Sequence, residues 1–254
     1  MLYISLIMSV QFFSSSFLSF FTFLFLKFAN SLCFFKVLFT PLYTTSIPMS
    51  KPINLAIFAS GNGTNAQQIA EYFSGRDDVI VRVVIYNKRD AFVATRAERL
   101  GIEAHYFGRR DFYDGDSLMQ LLRHLEIDYI ILAGFLLLVP EYLLQAFPQR
   151  IINIHPALLP LYGGKGMYGH HVHEAVVANH ERQTGITVHV VDAHYDRGTT
   201  LFQARCEVRE SDTADDVAAR IHLLEKAYFP SVIDSYITHK PMPVQSSILK
   251  ADKV

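Results

Sequence analysis

Beyond residue 50 the chain alternates between two hydrophobic patterns. Short, largely apolar runs such as Ile53–Ala59, Val79–Tyr86 and Ile151–His155 have the character of strands buried on both faces. Between them, apolar residues recur at helical spacing. The order is a strand over Ile53–Ala59, a helix over Asn65–Phe73 and a strand over Val79–Tyr86. A helix from an Asp90 cap to Arg99 or Leu100 follows, with Gly101 suited to its left-handed end, and then a short strand over Glu103–Phe107. A helix with its apolar stripe over Leu118–Leu125, a strand over Asp128–Ala133, a helix over Pro140–Phe147 and a strand over Ile151–His155 complete the alternation. This pattern predicts an α/β fold: an open, mostly parallel twisted sheet with helices on both faces. The rhythm then changes. Leu161–Gly169 is a glycine-rich loop, His170–Asn179 suits a helix, and Thr187–Val191 and Leu201–Val208 lie near enough to pair antiparallel. The sheet is therefore expected to end in an antiparallel C-terminal portion. A last helix, capped at Asp212 or Thr213, runs to about Tyr236.

Composition changes the picture mainly at the ends. The 254-residue chain is 50% hydrophobic, enough for a sizeable core, and its formal net charge is −1. That balance supplies no basic field, so no nucleic-acid partner is expected. Cys33 and Cys206 are far apart, a usage that fits a reducing compartment and hence the cytoplasm. Residues 1–48 stand apart: Lys27 and Lys36 are their only charges, and Phe12–Phe28 is long and apolar enough to enter a bilayer despite its serines. Three readings compete: a signal peptide without a basic leader, a membrane anchor, or an extension outside the native domain with translation starting at Met49. The third is favoured, because Met49-Ser50-Lys51-Pro52 leads straight into a strand. The domains are then a hydrophobic extension over 1–48, a folded domain over 49–238 and a mobile tail over 239–254, with Pro241 and Pro243. A membrane partner is expected only if residues 1–48 are translated.

Three clusters carry candidate chemistry. Ser60-Gly61-Asn62-Gly63-Thr64-Asn65 turns from a strand into a helix, where backbone N–H groups and the helix N-terminus hold anions. Gly61, Gly63 and Ala66 match the dinucleotide fingerprint, but the second strand ends Tyr86-Asn87-Lys88 without the carboxylate that would hold a ribose. A phosphate site is the better expectation, and a plain tight turn is the bland alternative. Asn153 and His155 lie two residues apart on one face where a buried strand ends against Pro156, the position at which open α/β sheets bind ligands. The bland alternative here is a hydrogen-bonded structural pair. Asp192 and Asp196 are the acids that could meet them; an imidazole and a carboxylate together would shift each other toward their charged forms. An amide beside them could stabilise an oxyanion. No serine or cysteine presents itself as a nucleophile, so direct transfer is expected rather than a covalent intermediate. His170, His171, His173 and His180 lack the acids, cysteines and spacing of a metal site. They are expected to face solvent, with no metal. Gly134–Val139 reads equally as core or as a wall for a flat aromatic ligand.

Taken together, these residues resemble the phosphoribosylglycinamide formyltransferase family, folate-dependent enzymes of purine biosynthesis. The likeness runs from about Pro52 to Tyr236 and is carried by Ser60–Asn65, Leu132–Phe135, Asn153–Pro160, Thr187–His189 and Asp196–Gly198. It implies a Rossmann-like formyltransferase fold. It also implies transfer of the formyl group of 10-formyltetrahydrofolate to the amine of glycinamide ribonucleotide, by direct attack through a tetrahedral intermediate. Residue by residue, the resemblance assigns Gly63, Thr64 and Asn65 to the substrate phosphate and Glu225 to its ribose side. Arg110, Leu136, Leu137, Leu138 and Val139 fall to the folate, with Asn153 shared, and Asn153, His155 and Asp196 form the catalytic trio. A protonated His155, kept charged by Asp196, would join Asn153 in stabilising the oxyanion. The oligomeric state is open between monomer and homodimer.

The sequence departs from the family in three places. Leu137 stands where a basic residue is common, Arg197 rather than glycine follows Asp196, and Gly163–Gly169 is longer than in the shortest members. Among neighbouring activities, a methionyl-tRNA formyltransferase would add a C-terminal RNA-binding domain, and a formyltetrahydrofolate hydrolase an N-terminal regulatory one. Neither pattern is expected here. A nucleotide-binding module without chemistry would need the glycine loop but not Asn153, His155 and Asp196 together.

Overall fold

The strands are β1 (Ile53–Ala59), β2 (Val79–Tyr86), β3 (Glu103–Tyr106), β4 (Tyr129–Leu132), β5 (Ile151–His155), β6 (Gln183–Val190) and β7 (Thr200–Glu207). They form one seven-stranded sheet in the order β3-β2-β1-β4-β5-β6-β7. Pairing is parallel from β3 through β5 and antiparallel from β5 to β7, the architecture expected from the pattern. The computed structural model describes residues 51–245 and 247–251. The three readings of residues 1–48 lie outside the described residues.

Strand periodicity divides the core in two. In β1, Leu55, Ile57 and Ala59 join one cluster, while Ala56 and Phe58 join another on the opposite face. The first face is covered by α1 (Thr64–Phe73), α2 (Val93–Arg99), α6 (His170–Ala178) and α7 (Ala214–Ile237), which contribute Ile69, Ala97, Val176 and Ile221. The second is covered by α3 (Arg109–Asp114), α4 (Asp116–His124) and α5 (Glu141–Ala146), with Phe112, Leu118 and Leu143. Phe58 and Phe112 are fully buried there, each burial contributing about 2–3 kcal/mol.

α7 begins with a capping box. The Asp216 N–H donates to the Thr213 hydroxyl at 3.3 Å, and the Thr213 N–H returns the bond to the Asp216 carboxylate at 2.8 Å. One turn on, buried Arg220 pairs with Asp212 at 2.6 Å and donates to the Glu207 carbonyl, which locks α7 to the end of β7. This anchoring fixes the height at which Glu225 leaves the helix.

Two element starts and one terminus depart from expectation by two residues or more; the other expected ends agree to within about one residue. α2 starts at Val93 rather than after Asp90, because Lys88–Ala91 forms a hydrogen-bonded turn with Ala91 N–H on the Lys88 carbonyl. β6 starts at Gln183, earlier than its apolar stretch, since β7 extends far enough to pair Gln183 with Glu207. The tail expected to be mobile is instead docked as far as Ala251. Leu249 forms a parallel bridge with Cys206, and its N–H and C=O bond the Arg205 carbonyl and Glu207 N–H. The unpaired outer edge of β7 supplies the reason, since its backbone groups need partners. Among the described residues, no helix is long and apolar enough to cross a membrane.

Candidate active site

The winding of the sheet reverses between β1 and β4, and a cavity of about 650 Å³ opens there. It is lined by residues at or just beyond the carboxyl ends of β1, β4 and β5, among them Gly63, Gly134, Asn153 and His155. This is the switch point at which parallel sheets bind ligands.

The glycine loop is held from three sides. Gly63 has a φ of 76° and packs directly on Val93, so a Cβ would strike that residue's backbone as well as its side chain. Val93 N–H bonds the Gly61 carbonyl at 3.2 Å, and Arg96 bonds the Asn62 carbonyl at 2.8 Å. The Ser60 hydroxyl accepts from Leu136 N–H at 2.9 Å, joining this loop to the apolar one. No side chain caps α1, and Gly63, Thr64 and Asn65 line the cavity. Backbone donors of the first turn are therefore left for a ligand.

On the other core face, Leu136, Leu137, Leu138 and Val139 also line the cavity. Val139 is buried in the core, whereas Leu136 is 39% exposed, so the segment is core at one end and wall at the other. Arg110 is elsewhere. It opens α3 with its side chain 94% exposed and paired with Asp111, outside the cavity lining. The geometry does not bring it to the cavity.

Asn153, His155 and Asp196 do meet. In the β5–β6 register Asn153 faces His189, and its side-chain amide donates to His189 Nε2 at 3.1 Å. His189 Nδ1–H points to the Val190 carbonyl at 3.3 Å, which assigns the neutral tautomer. His155 Nε2–H donates to the Tyr162 carbonyl at 2.7 Å, leaving the Nδ1 lone pair toward Asp196. The Asp196 Oδ1 atom lies 3.6 Å from His155 Nδ1 and 3.8 Å from His189 Nε2. Its Oδ2 accepts from Gly164 N–H at 2.8 Å, and a φ of 55° at Asp196 turns the carboxylate inward. Asp192 lines the cavity but spends its carboxylate on His194 N–H at 2.8 Å. Asp196 is the acid that faces His155.

One electrostatic expectation is corrected. The His155 pKa lies below its ordinary value, because burial outweighs the raising effects of Asp196 and the Tyr162 carbonyl. Burial depresses His189 in the same way. At neutral pH the resting imidazole is therefore uncharged, not held charged by its carboxylate. Burial also drives His173 down, to about 4. All three bind a proton more readily unfolded, so their contribution to stability is full above about pH 6.5 and is lost as pH falls toward the folded values. His222, raised by its bond to Glu225, works in the opposite sense. With three groups against one, Tm is expected to fall by about 3 °C or more between pH 7 and pH 5. Scanning calorimetry across that range checks it, and a flat profile would contradict the burial argument.

The histidines on α6 also divide. His170 and His171 are exposed and pair with Glu174 at 3.6 and 3.2 Å, as solvent-facing histidines would. His173 is only 4% exposed and lines the cavity, contrary to expectation. It sits one helical turn from His170, on the side of α6 that packs against α7. Among the described residues, no group of three or more His, Cys, Asp or Glu side chains converges as a metal site.

The sequence model of the formyl transferase family matches residues 53–233, spanning the whole sheet and most of α7. The chain belongs to the formyl transferase family. Its relatives include the chloroplastic phosphoribosylglycinamide formyltransferase of Arabidopsis thaliana, 42% identical over 181 residues, which cover 68% of this chain and 62% of that protein. The Bacillus subtilis phosphoribosylglycinamide formyltransferase is 36% identical over 183 residues, covering 70% of this chain and 91% of the relative. Among solved structures, the phosphoribosylglycinamide formyltransferase of Streptococcus pneumoniae is 37% identical with a TM-score of 0.65, covering 73% of this chain and 99% of that one. This formyl transferase spans about three fifths of the length of the Arabidopsis thaliana protein and of the chloroplastic phosphoribosylglycinamide formyltransferase of Vigna unguiculata, at 62% and 60%.

Two buried histidines in the cavity of this family member were not singled out as site residues from the sequence. His189 reads as a strand residue in Thr187–Val191, and only its register opposite Asn153 brings it into the cavity. His173 is hidden among exposed histidines on the same helix. A signal existed for it: Val172 and Val176 mark the buried stripe of α6, and His173 adjoins that stripe.

Proposed function

We propose that this chain transfers the formyl group of 10-formyltetrahydrofolate to the amine of glycinamide ribonucleotide. The observation that carries the reading is the convergence of Asn153, His155 and Asp196 in one cavity whose two halves differ in chemistry. The half beside α1 offers uncapped helix N–H groups at Gly63, Thr64 and Asn65, suited to a phosphate dianion, and the buried carboxylate of Glu225, suited to ribose hydroxyls. The half beside Leu136, Leu137, Leu138 and Val139 offers an apolar wall suited to a pteridine ring. Arg110, exposed outside the cavity, is left to meet the part of the folate that projects from it.

The co-substrate supplies an electrophilic formyl carbon; the chain supplies position and proton handling. Asn153 uses one amide N–H on His189 and keeps the second for the oxygen that gains charge. His155, uncharged at rest and with Nε2–H engaged by Tyr162, takes up the amine's proton at Nδ1. Asp196 stabilises the imidazolium as it forms, which then returns the proton to the leaving nitrogen, directly or through a water. We assign the activity to residues 49–238 and the location to the cytoplasm, in keeping with the free, buried thiol of Cys206.

The test is to incubate the full chain with 10-formyltetrahydrofolate, with and without glycinamide ribonucleotide, and follow tetrahydrofolate release. Release that depends on the ribonucleotide is expected. Release without it would make the protein a hydrolase, and none in either case would leave a binding module.

A further inference from the structure

Beside the groups already assigned to substrate, the cavity holds a polar cluster that no step above uses. His173 on α6 is 4% exposed, and its Nδ1 has no hydrogen-bond partner among the described residues. A buried ring nitrogen without a partner costs least as a bare lone pair, because an unpaired N–H forfeits more on leaving water. That places the ring proton on Nε2. The side chain lines the cavity while Nδ1 is sealed from it, so the other edge of the ring is the one presented to a ligand. Around it stand His222, donating to the Glu225 carboxylate at 3.0 Å, and His170, whose ring centroid is 6.3 Å away. With a pKa near 4, His173 stays uncharged and offers a donor rather than a positive charge.

The two core clusters tell which half of the cavity His173 serves. α6 and α7 pack on the same sheet face as α1, whose N-terminus is the proposed phosphate site, while Phe135 and Val139 of the apolar loop belong to the opposite face. His173 therefore stands with Gly63, Thr64, Asn65 and Glu225 and apart from the folate wall. We infer that His173 donates a hydrogen bond from its ring to a ribose or phosphate oxygen of the ribonucleotide substrate, and so positions the acceptor amine before His155. This rests on the proposed formyl transfer for the identity of the substrate, but its binding term can be read without turnover.

His173→Phe keeps the ring shape and removes the donor; His173→Gln keeps a donor. A hydrogen bond to a charged oxygen is worth about tenfold or more in affinity. The Kd for ribose 5-phosphate, measured by titration calorimetry on the full chain, is expected to rise about tenfold in His173→Phe and to recover in part in His173→Gln. If the Kd of inorganic phosphate rises alike, the oxygen belongs to the phosphate; if only that of ribose 5-phosphate rises, it belongs to the sugar. In turnover, KM for glycinamide ribonucleotide should rise by the same factor while KM for 10-formyltetrahydrofolate stays within about twofold. An unchanged Kd in a His173→Phe protein with wild-type Tm would overturn the inference, as would an equal rise in both KM values. A wild type that binds ribose 5-phosphate through His173 yet transfers no formyl group would instead sink the proposed reaction and leave this contact standing.

Discussion

His155→Ala is expected to lower kcat by about a thousandfold, with KM for either substrate within about fivefold. The reasoning begins with the tautomer. Because Nε2–H is committed to the Tyr162 carbonyl, only Nδ1 can take the amine's proton, and that atom faces Asp196 at 3.6 Å. Among the described residues, His189 is the other imidazole near Asp196, but its Nε2 already accepts from Asn153. Alanine therefore removes the proton acceptor without a ready substitute. It also leaves the Tyr162 carbonyl without its donor, a loss of about 1–3 kcal/mol of stability if the site stays dry. Comparing Tm with steady-state kinetics separates the two effects. Retention of more than a tenth of wild-type kcat would remove His155 from proton transfer.

Asp196→Asn is expected to cost about a hundredfold in kcat with KM little changed, and its pH profile is the more telling readout. Asn can keep the bond from Gly164 N–H through its carbonyl oxygen. Its amide N–H groups then face His155 Nδ1 and His189 Nε2, both lone-pair sites. A donor placed against Nδ1 competes with the incoming proton, and the imidazolium loses its counter-charge. Asp196 raises the His155 pKa, so removing the carboxylate lowers it further. The acid limb of kcat/KM, set by protonation of His155, should accordingly move to lower pH. An acid limb that stays in place while kcat falls would assign Asp196 a purely structural role.

Much of the fold was legible because its central strands are predominantly apolar. β1, β2 and β5 were bounded as observed, since Ile53–Ala59, Val79–Tyr86 and Ile151–His155 are dense apolar runs interrupted only by Asn54, Arg82, Asn153 and His155. The short helix α3 was not legible: Arg109, Arg110, Asp111 and Asp114 surround one buried residue, Phe112, and a single apolar position has no period. The start of β6 at Gln183 depends on its partner strand, which local pattern does not report. In the site, the identity of Asn153 and His155 as polar residues at a strand exit was visible. The protonation of His155 was not, because it depends on a depth of burial that only the assembled sheet creates. The same is true of His173, where tertiary packing of α6 against α7 decides which histidine of four is buried.

The division of the core by the faces of one sheet has an evolutionary consequence. The groups proposed to hold the ribonucleotide hang from helices anchored in one hydrophobic cluster, and those proposed for the folate from loops anchored in the other. Well-separated sites without shared partners respond to substitution nearly independently. Drift in Leu136, Leu137 or Leu138 can therefore retune the donor's fit while the acceptor's grip stays fixed, and drift on α6 or α7 can do the reverse. On the proposed function, the residues at the seam, Asn153, His155 and Asp196, would answer to both substrates at once, so natural variation should be tolerated around them and scarce within them.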